Sequence, residues 1–180
     1  MRLIQILTLM SVIAGCTSKD PSGKFFHDLV DKKEVTIVLH DYGLDSIPAE
    51  IGLLKDVESL TISLDSLKGW KIYPPGSSSF FDMRIDTPPF KTMPNEVASL
   101  RKLKRLIIYD LNISKLPDNL GDLGDLEYLD LSMNKLTISK EMVKLRKLKN
   151  LKYLGLFGNR IDTVMIQNWK AEHPMLQIDY

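Results

Sequence analysis

The residues of this chain that could do acid–base or nucleophilic chemistry are few and far apart. There is one cysteine, Cys16, and three histidines, His27, His40 and His173. His40 stands beside Asp41 and His173 beside Pro174, but none has a nucleophile or metal-ligating partner at a spacing such chemistry needs. The sequence holds no Walker loop, no His-Glu-x-x-His pair and no dinucleotide fingerprint. Asp82, Asp86 and Asp130 could in principle hold a hard cation or act as acid and base. Cation cages need about six converging oxygens, so scattered solvated carboxylates are the expectation. No catalysis, cofactor or metal is therefore expected. Recognition is better supplied. Arg84, Arg105, Tyr109, Tyr128, Asp130, Tyr153 and Phe157 combine large aromatic area with charges of both signs, the composition of a binding hot spot.

The elements that would position these residues begin after an N-terminal leader. Arg2 is a short basic region, Leu3 to Val12 an apolar run, and Ile13-Ala14-Gly15 a small-residue cleavage site. That is the layout of a secretory signal peptide over residues 1–15, too short to span a bilayer as a mature helix. Ile13-Ala14-Gly15-Cys16 resembles the bacterial lipobox. The resemblance implies that the Cys16 thiol carries acyl chains such as palmitate and becomes the mature N-terminus. Acyl chains contribute about 0.8 kcal/mol per buried methylene, so several on one residue hold a domain at a membrane. Thr17 stands where this family uses aspartate for inner-membrane retention, so an outer membrane is favoured over the inner one. With Cys16 acylated no disulfide is available, and the exported domain relies on packing alone. Losing Arg2 from the 24 basic residues leaves them equal to the 23 acidic ones, with no global drive towards nucleic acid.

Residues 16–23 are small and polar and read as a tether. Phe25, Phe26, Leu29 and Val30 share a helical face, which predicts a capping helix over 24–33 that covers the first open core face. From there an apolar frame recurs every 23 residues, starting near 34, 57, 80, 103 and 126. Its clearest copy is Leu126, Leu129, Leu131, Asn134 and Leu136; the copy at Leu103 runs on through Leu106, Ile108, Ile113 and Leu116-Pro117. A last copy starts at Leu151, after a lengthened stretch, 139–149, that predicts an amphipathic helix from Met142, Val143, Leu145 and Leu148. Residues 161–172 predict a final helix with Val164, Ile166 and Trp169 available to the core, and 173–180 a capping strand. At 68–79 glycine, proline and serine predict a loop; the repeat length is unchanged, so this loop is expected to replace a turn and insert nothing. Trp70 either fills the core there or joins Tyr73 on the surface.

This pattern resembles the leucine-rich repeat family, over nearly all of the chain after about Val35. Ile47-Pro48, Met93-Pro94 and Leu116-Pro117 are similar to the 23-residue bacterial class of these repeats. The resemblance implies an α/β solenoid, a leucine-rich repeat horseshoe of six repeats over 34–172, with a parallel concave sheet of about seven short strands. The convex side is then helical or irregular. The family's turn asparagine is present only at Asn134 and Asn159; Tyr42, Asp65, Pro88 and Leu111 occupy the other sites. The N-terminal repeats are accordingly expected to be less regular.

Because strand side chains alternate, residues between the inward leucines face the concave surface. One row reads Thr36, Ser59, Asp82, Arg105, Tyr128, Tyr153 and Met175. The next reads Val38, Thr61, Arg84, Ile107, Asp130, Gly155 and Gln177, and a third His40, Ser63, Asp86, Tyr109, Ser132, Phe157 and Asp179. Asp82 with Arg105, and Arg84 with Asp130, are possible ion pairs. The aromatic residues either bind a partner or fill a half-buried strand surface. Basic clusters at Arg101, Lys102, Lys104 and Arg105, and at Lys144, Arg146, Lys147, Lys149 and Lys152, read as solvated edges, or less simply as contacts with anionic envelope material. The expectation is a membrane-anchored, monomeric module that binds a protein through its concave face. A scaffolding lipoprotein without a specific partner, or a hydrolase using the concave aspartates, are the alternatives.

Overall fold

The computed structural model describes residues 25–65 and 91–180. Cys16, Trp70, Tyr73, Asp82, Arg84 and Asp86 lie outside the described residues. The strands are β1 (Glu34–Val38), β2 (Ser59–Ser63), β3 (Lys91–Thr92), β4 (Arg105–Tyr109), β5 (Ile113–Lys115), β6 (Tyr128–Asp130), β7 (Tyr153–Gly155) and β8 (Gln177–Asp179). Six of them form one parallel sheet in the order β1-β2-β4-β6-β7-β8, and β3 pairs with β5 in a short second ladder. Alternation works as the residue types dictate. Ile37, Leu60, Ile62, Leu106, Ile108, Leu129, Leu131, Leu154 and Leu156 are all fully buried behind the sheet. Each such side chain contributes about 1.5–3 kcal/mol by leaving water.

Proline sets the opposite wall. Pro48 and Pro94 hold extended backbone (φ −79 and −68) at the entry to the 3₁₀ turns Ala49–Leu53 and Asn95–Ser99. The carbonyls of Pro48, Pro94 and Pro117 then accept from the N–H of Ile51, Val97 and Leu120 at 3.2, 3.3 and 3.2 Å. These three acceptor-bonded residues are buried, so each proline step turns the chain and points one apolar side chain inward. In the lengthened turn the 3₁₀ piece is replaced by helix α1 (Ile138–Leu145), whose Ile138, Met142 and Leu145 are buried while Val143 is exposed. Helix α2 (Thr163–Glu172) begins where Asp162 accepts from Met165 N–H at 3.1 Å and closes the core with Ile166 and Trp169. Trp169 is only 2% exposed, a core plug; Val164, expected inside, faces solvent.

Asn134 is the most heavily bonded side chain of the interior. Its Oδ1 accepts from the N–H of Leu111 (3.2 Å) and Ile113 (3.1 Å), and its Nδ2 donates to the carbonyls of Ile108 (2.8 Å) and Leu131 (2.9 Å). Asn159 repeats the arrangement one turn on, accepting from Leu136 N–H and donating to Leu131 and Leu156 carbonyls. A buried backbone group left without such a partner would cost about 1–3 kcal/mol.

Three expectations are corrected. The N-terminal cap is a single 3₁₀ turn, His27–Leu29, and not a helix over 24–33. Strand β1 starts so soon after it that only one turn fits, too little hydrogen bonding to repay helix nucleation. Phe26 (φ 68, 1% exposed) still does the capping, with its ring edge-on to Tyr42 at 5.1 Å. The first and last strands are each two residues out of the expected register: Glu34, not Thr36, pairs with Ser59, and Tyr153 pairs with Gln177 and Gly155 with Asp179, so Met175 precedes the sheet and is 90% exposed.

The third correction concerns strand order. Among the described residues β2 pairs directly with β4, Ser59 beside Arg105, and six strands form the sheet where about seven are expected; the frame at Phe80 lies outside the described residues. Contacts elsewhere agree. Lys102 Nζ bonds Asp56, Lys104 Nζ bonds Glu58 and Lys91 Nζ bonds the Asp45 carbonyl, each across 46 positions, two frames. From β2 to β4 the contacting residues are thus 46 positions apart, twice the 23-residue step. Along the same edge, side chains alternate in charge from Lys33 to Glu58, Lys104, Glu127 and Lys152, with N···O distances of 2.9, 2.8 and 2.7 Å for Lys33–Glu58, Lys104–Glu58 and Lys152–Glu127. Hydrogen bonds from Lys104 and Lys33 pull the Glu58 carboxyl down to about 2.

Candidate functional site

The concave face takes its shape from the pairing just described. Parallel register puts Arg105, Tyr128 and Tyr153 side by side on β4, β6 and β7. Strands about 4.8 Å apart bring neighbouring side chains to stacking distance. The three residues form one continuous stack. The Arg105 guanidinium lies 3.8 Å over the Tyr128 ring, and the Tyr128 and Tyr153 rings are parallel within 9° at 4.3 Å. Beyond the stack Asp179, on β8, is in register with Gly155, two positions along β7 from Tyr153. Burial first, then the neighbouring Asp179 carboxylate, pushes the Tyr153 hydroxyl well above the usual phenol range.

Beneath the stack, Asp130 lies flat over β7. Its Oδ1 accepts from Ser132 N–H at 2.9 Å and sits 2.6 Å from the place a Cβ on Gly155 would occupy. Gly155 is therefore what lets the carboxylate fold down. Gln177 Nε2 in turn donates to both oxygens of Asp179 at 3.3 Å.

The structure unites four of the residues singled out in the sequence, Arg105, Tyr128, Asp130 and Tyr153, and adds Gly155 and Asp179 to them. Tyr109 and Phe157 lie on the adjoining row, Tyr109 half-buried and Phe157 50% exposed, outside the stack. Arg84 falls outside the described residues. Arg105 is in register with Ser59 on β2, and Asp82, the partner expected for it, lies outside the described residues. Asp179 was missed because the last strand is out of the expected register. A step from Tyr153 to Gln177 would have been suggested by the long α2, which occupies the turn before it. Among the described residues no group of three His, Cys, Asp or Glu could hold a metal ion.

The basic clusters are largely spent on ion pairs. Arg101 pairs with Asp122 (3.0 Å), Lys102 with Asp56 (2.6 Å), Arg146 with Glu172 (2.9 Å) and Lys152 with Glu127 (2.7 Å). Lys144 and the buried Glu141, one helical turn apart on α1, bracket a single residue of the preceding turn. Glu141 accepts from Leu116 N–H at 3.1 Å while Lys144 donates to the Leu116 carbonyl at 2.7 Å. Burial opposes the charge of Lys144, but its bonds to Glu141 and Asp118 outweigh this and hold its pKa above the ordinary lysine value. That function for a surface-looking Glu-x-x-Lys pair escaped the sequence reading, although the helical spacing of Glu141 and Lys144 was there to be seen.

Gly155→Ala is expected to lift Asp130 off Ser132 N–H and lower stability by about 1 kcal/mol. In an Asp130→Ala background the same change should cost little, and a double-mutant cycle by thermal or urea unfolding separates the two.

No family model and no curated protein matches the sequence. Among solved structures, a leucine-rich repeat protein of Leptospira interrogans aligns with a TM-score of 0.50 and 22% identity, over 75% of this chain and 28% of its own. Internalin C2 of Listeria monocytogenes aligns with a TM-score of 0.45 and 20% identity, over 74% of this chain and 45% of its own. The chain thus spans less than half the length of these two proteins. The likeness to the Leptospira protein agrees with the parallel sheet, the proline-opened convex turns and the turn asparagines described above: this chain has the leucine-rich repeat fold.

Proposed function

We propose that this protein is a non-catalytic leucine-rich repeat module that binds a protein partner on its concave face and is held at a bacterial membrane by acyl chains on Cys16. The observation that carries the binding reading is the Arg105–Tyr128–Tyr153 stack, set in place by backbone pairing. A partner meeting side chains already fixed loses less rotamer entropy than one that must order them, which is the usual physical basis of tyrosine and arginine hot spots. The anchoring reading is supported by the lipobox resemblance at Ile13-Ala14-Gly15-Cys16, with the outer membrane favoured by Thr17. No helix among the described residues is long and apolar enough to cross a membrane.

Two outcomes test the two halves. Metabolic labelling with a fatty-acid analogue should mark the wild-type protein and not Cys16→Ser; equal labelling would end the anchoring reading. Replacing Tyr128 and Tyr153 with alanine should keep a cooperative unfolding transition yet weaken partner capture from intact envelopes by about thirtyfold or more, the scale of a lost hot spot. Capture that is undiminished would remove the concave face from consideration and favour a scaffolding protein.

A further inference from the structure

The concave charges differ in what they have left to offer. Asp130 is folded down over Gly155 on the β7 side, away from β4, with Oδ1 bonded to Ser132 N–H. Asp179 accepts from the Gln177 amide with both oxygens. At the N-terminal end of the face, His40 Nδ1 is 2.6 Å from Asp65. Arg105 is different. It is exposed, it carries the Tyr128 ring on one face, and among the described residues it meets no carboxylate.

An arginine stacked face-on against an aromatic ring keeps all its N–H donors in the plane of the guanidinium, pointing outward. That rigid fork matches the two oxygens of a carboxylate. On the side away from Tyr128, the next strand presents Ser59 in register with Arg105 and Thr61 two positions along, both small. The guanidinium therefore borders small hydroxyl side chains rather than bulky ones, and β1 continues that row with Thr36 opposite Thr61.

We propose that the concave face recognises an acidic residue of its partner protein, whose carboxylate pairs with the in-plane donors of Arg105 above Ser59. This rests on the reading of the face as a protein-binding surface and names what that surface selects. The charge arrangement also gives the contact a direction. A segment lying across the strands meets its anionic site at β4 and finds anionic protein groups, Asp130 and Asp179, towards β7 and β8. Acidic residues are thus favoured at one end of the bound segment and disfavoured at the other.

The test titrates the isotope-labelled chain with two blocked peptides, acetyl-Ala-Glu-Ala-Glu-Ala-amide and its glutamine counterpart. Nuclear magnetic resonance follows the Arg105 Nε–H and Tyr128 ring signals. The glutamate peptide should shift both saturably, the glutamine peptide should bind about tenfold more weakly, and Arg105→Gln should cost about the same factor with an otherwise unchanged amide spectrum. Arg105→Lys keeps the charge but loses the fork and should recover only part of the affinity. If both peptides shift the face equally, or Arg105→Gln binds the glutamate peptide as wild type does, the acidic-residue proposal is overturned while the face remains a peptide-binding surface. If neither peptide moves any signal from β4 to β8, the proposal and the binding reading fall together.

Discussion

A single turn of this solenoid cannot bury its own leucines. Leu106 and Ile108 are hidden only because Leu60 and Ile62 lie on one side of them and Leu129 and Leu131 on the other. Every turn depends on its neighbours in the same way, and the ends need special closure: Phe26 against Tyr42 at one, Trp169 and Ile166 at the other. This nearest-neighbour dependence explains why backbone pairing, and not composition, decides which stretch of chain belongs to the array. A segment with the right residues contributes a rung only if its strand is hydrogen-bonded between two others.

The same dependence exposes backbone at each turn, and the chain satisfies it by different means along its length. In the C-terminal half Asn134 and Asn159 reach back to the preceding turn and bond carbonyls and N–H groups there. At the convex corner before α1, where no asparagine helps, Glu141 and Lys144 serve Leu116 from both sides. One solution uses a neutral amide that both donates and accepts; the other uses a buried ion pair, whose desolvation is offset because each charge also bonds backbone. In the N-terminal half the turn positions hold Tyr42 and Asp65, and β2 pairs with β4, whose equivalent residues lie 46 positions on.

The fold was legible because its core residues repeat, and the errors came from the same source. The frame Phe80, Met83, Ile85 and Phe90 keeps both the period and the apolar pattern, so periodicity alone admits it as a repeat. Along one edge of the sheet Lys33, Glu58, Lys104, Glu127 and Lys152 alternate in sign, and the Lys104–Glu58 pair joins residues 46 positions apart. Within the candidate site, Arg105, Tyr128 and Tyr153 were placed correctly because their step equals the leucine step. Asp179 was not, because α2 changes the step into β8 and only the hydrogen-bond register reveals by how much. Side-chain uses that depend on which way a carboxylate folds, as at Asp130 over Gly155, leave no trace in spacing at all.

Stacking the tyrosines fixes what kind of contact the concave face can offer. Each ring of the Tyr128–Tyr153 pair has a face turned to the other, and Arg105 covers the outer face of Tyr128. What remains of Tyr128 for a partner is its edge and hydroxyl, beside the guanidinium fork, with apolar area left at Phe157. Such a surface gains little from burying greasy side chains and much from groups that accept hydrogen bonds at fixed positions, because the donors are already oriented and the rotamer entropy has been lost on folding. Strand spacing, set by backbone hydrogen bonds that know nothing of the ligand, therefore becomes the ruler along which a partner's acceptors must be spaced. Recognition here would be polar and register-bound, and the inward leucines would influence it only by holding the strands that carry the stack.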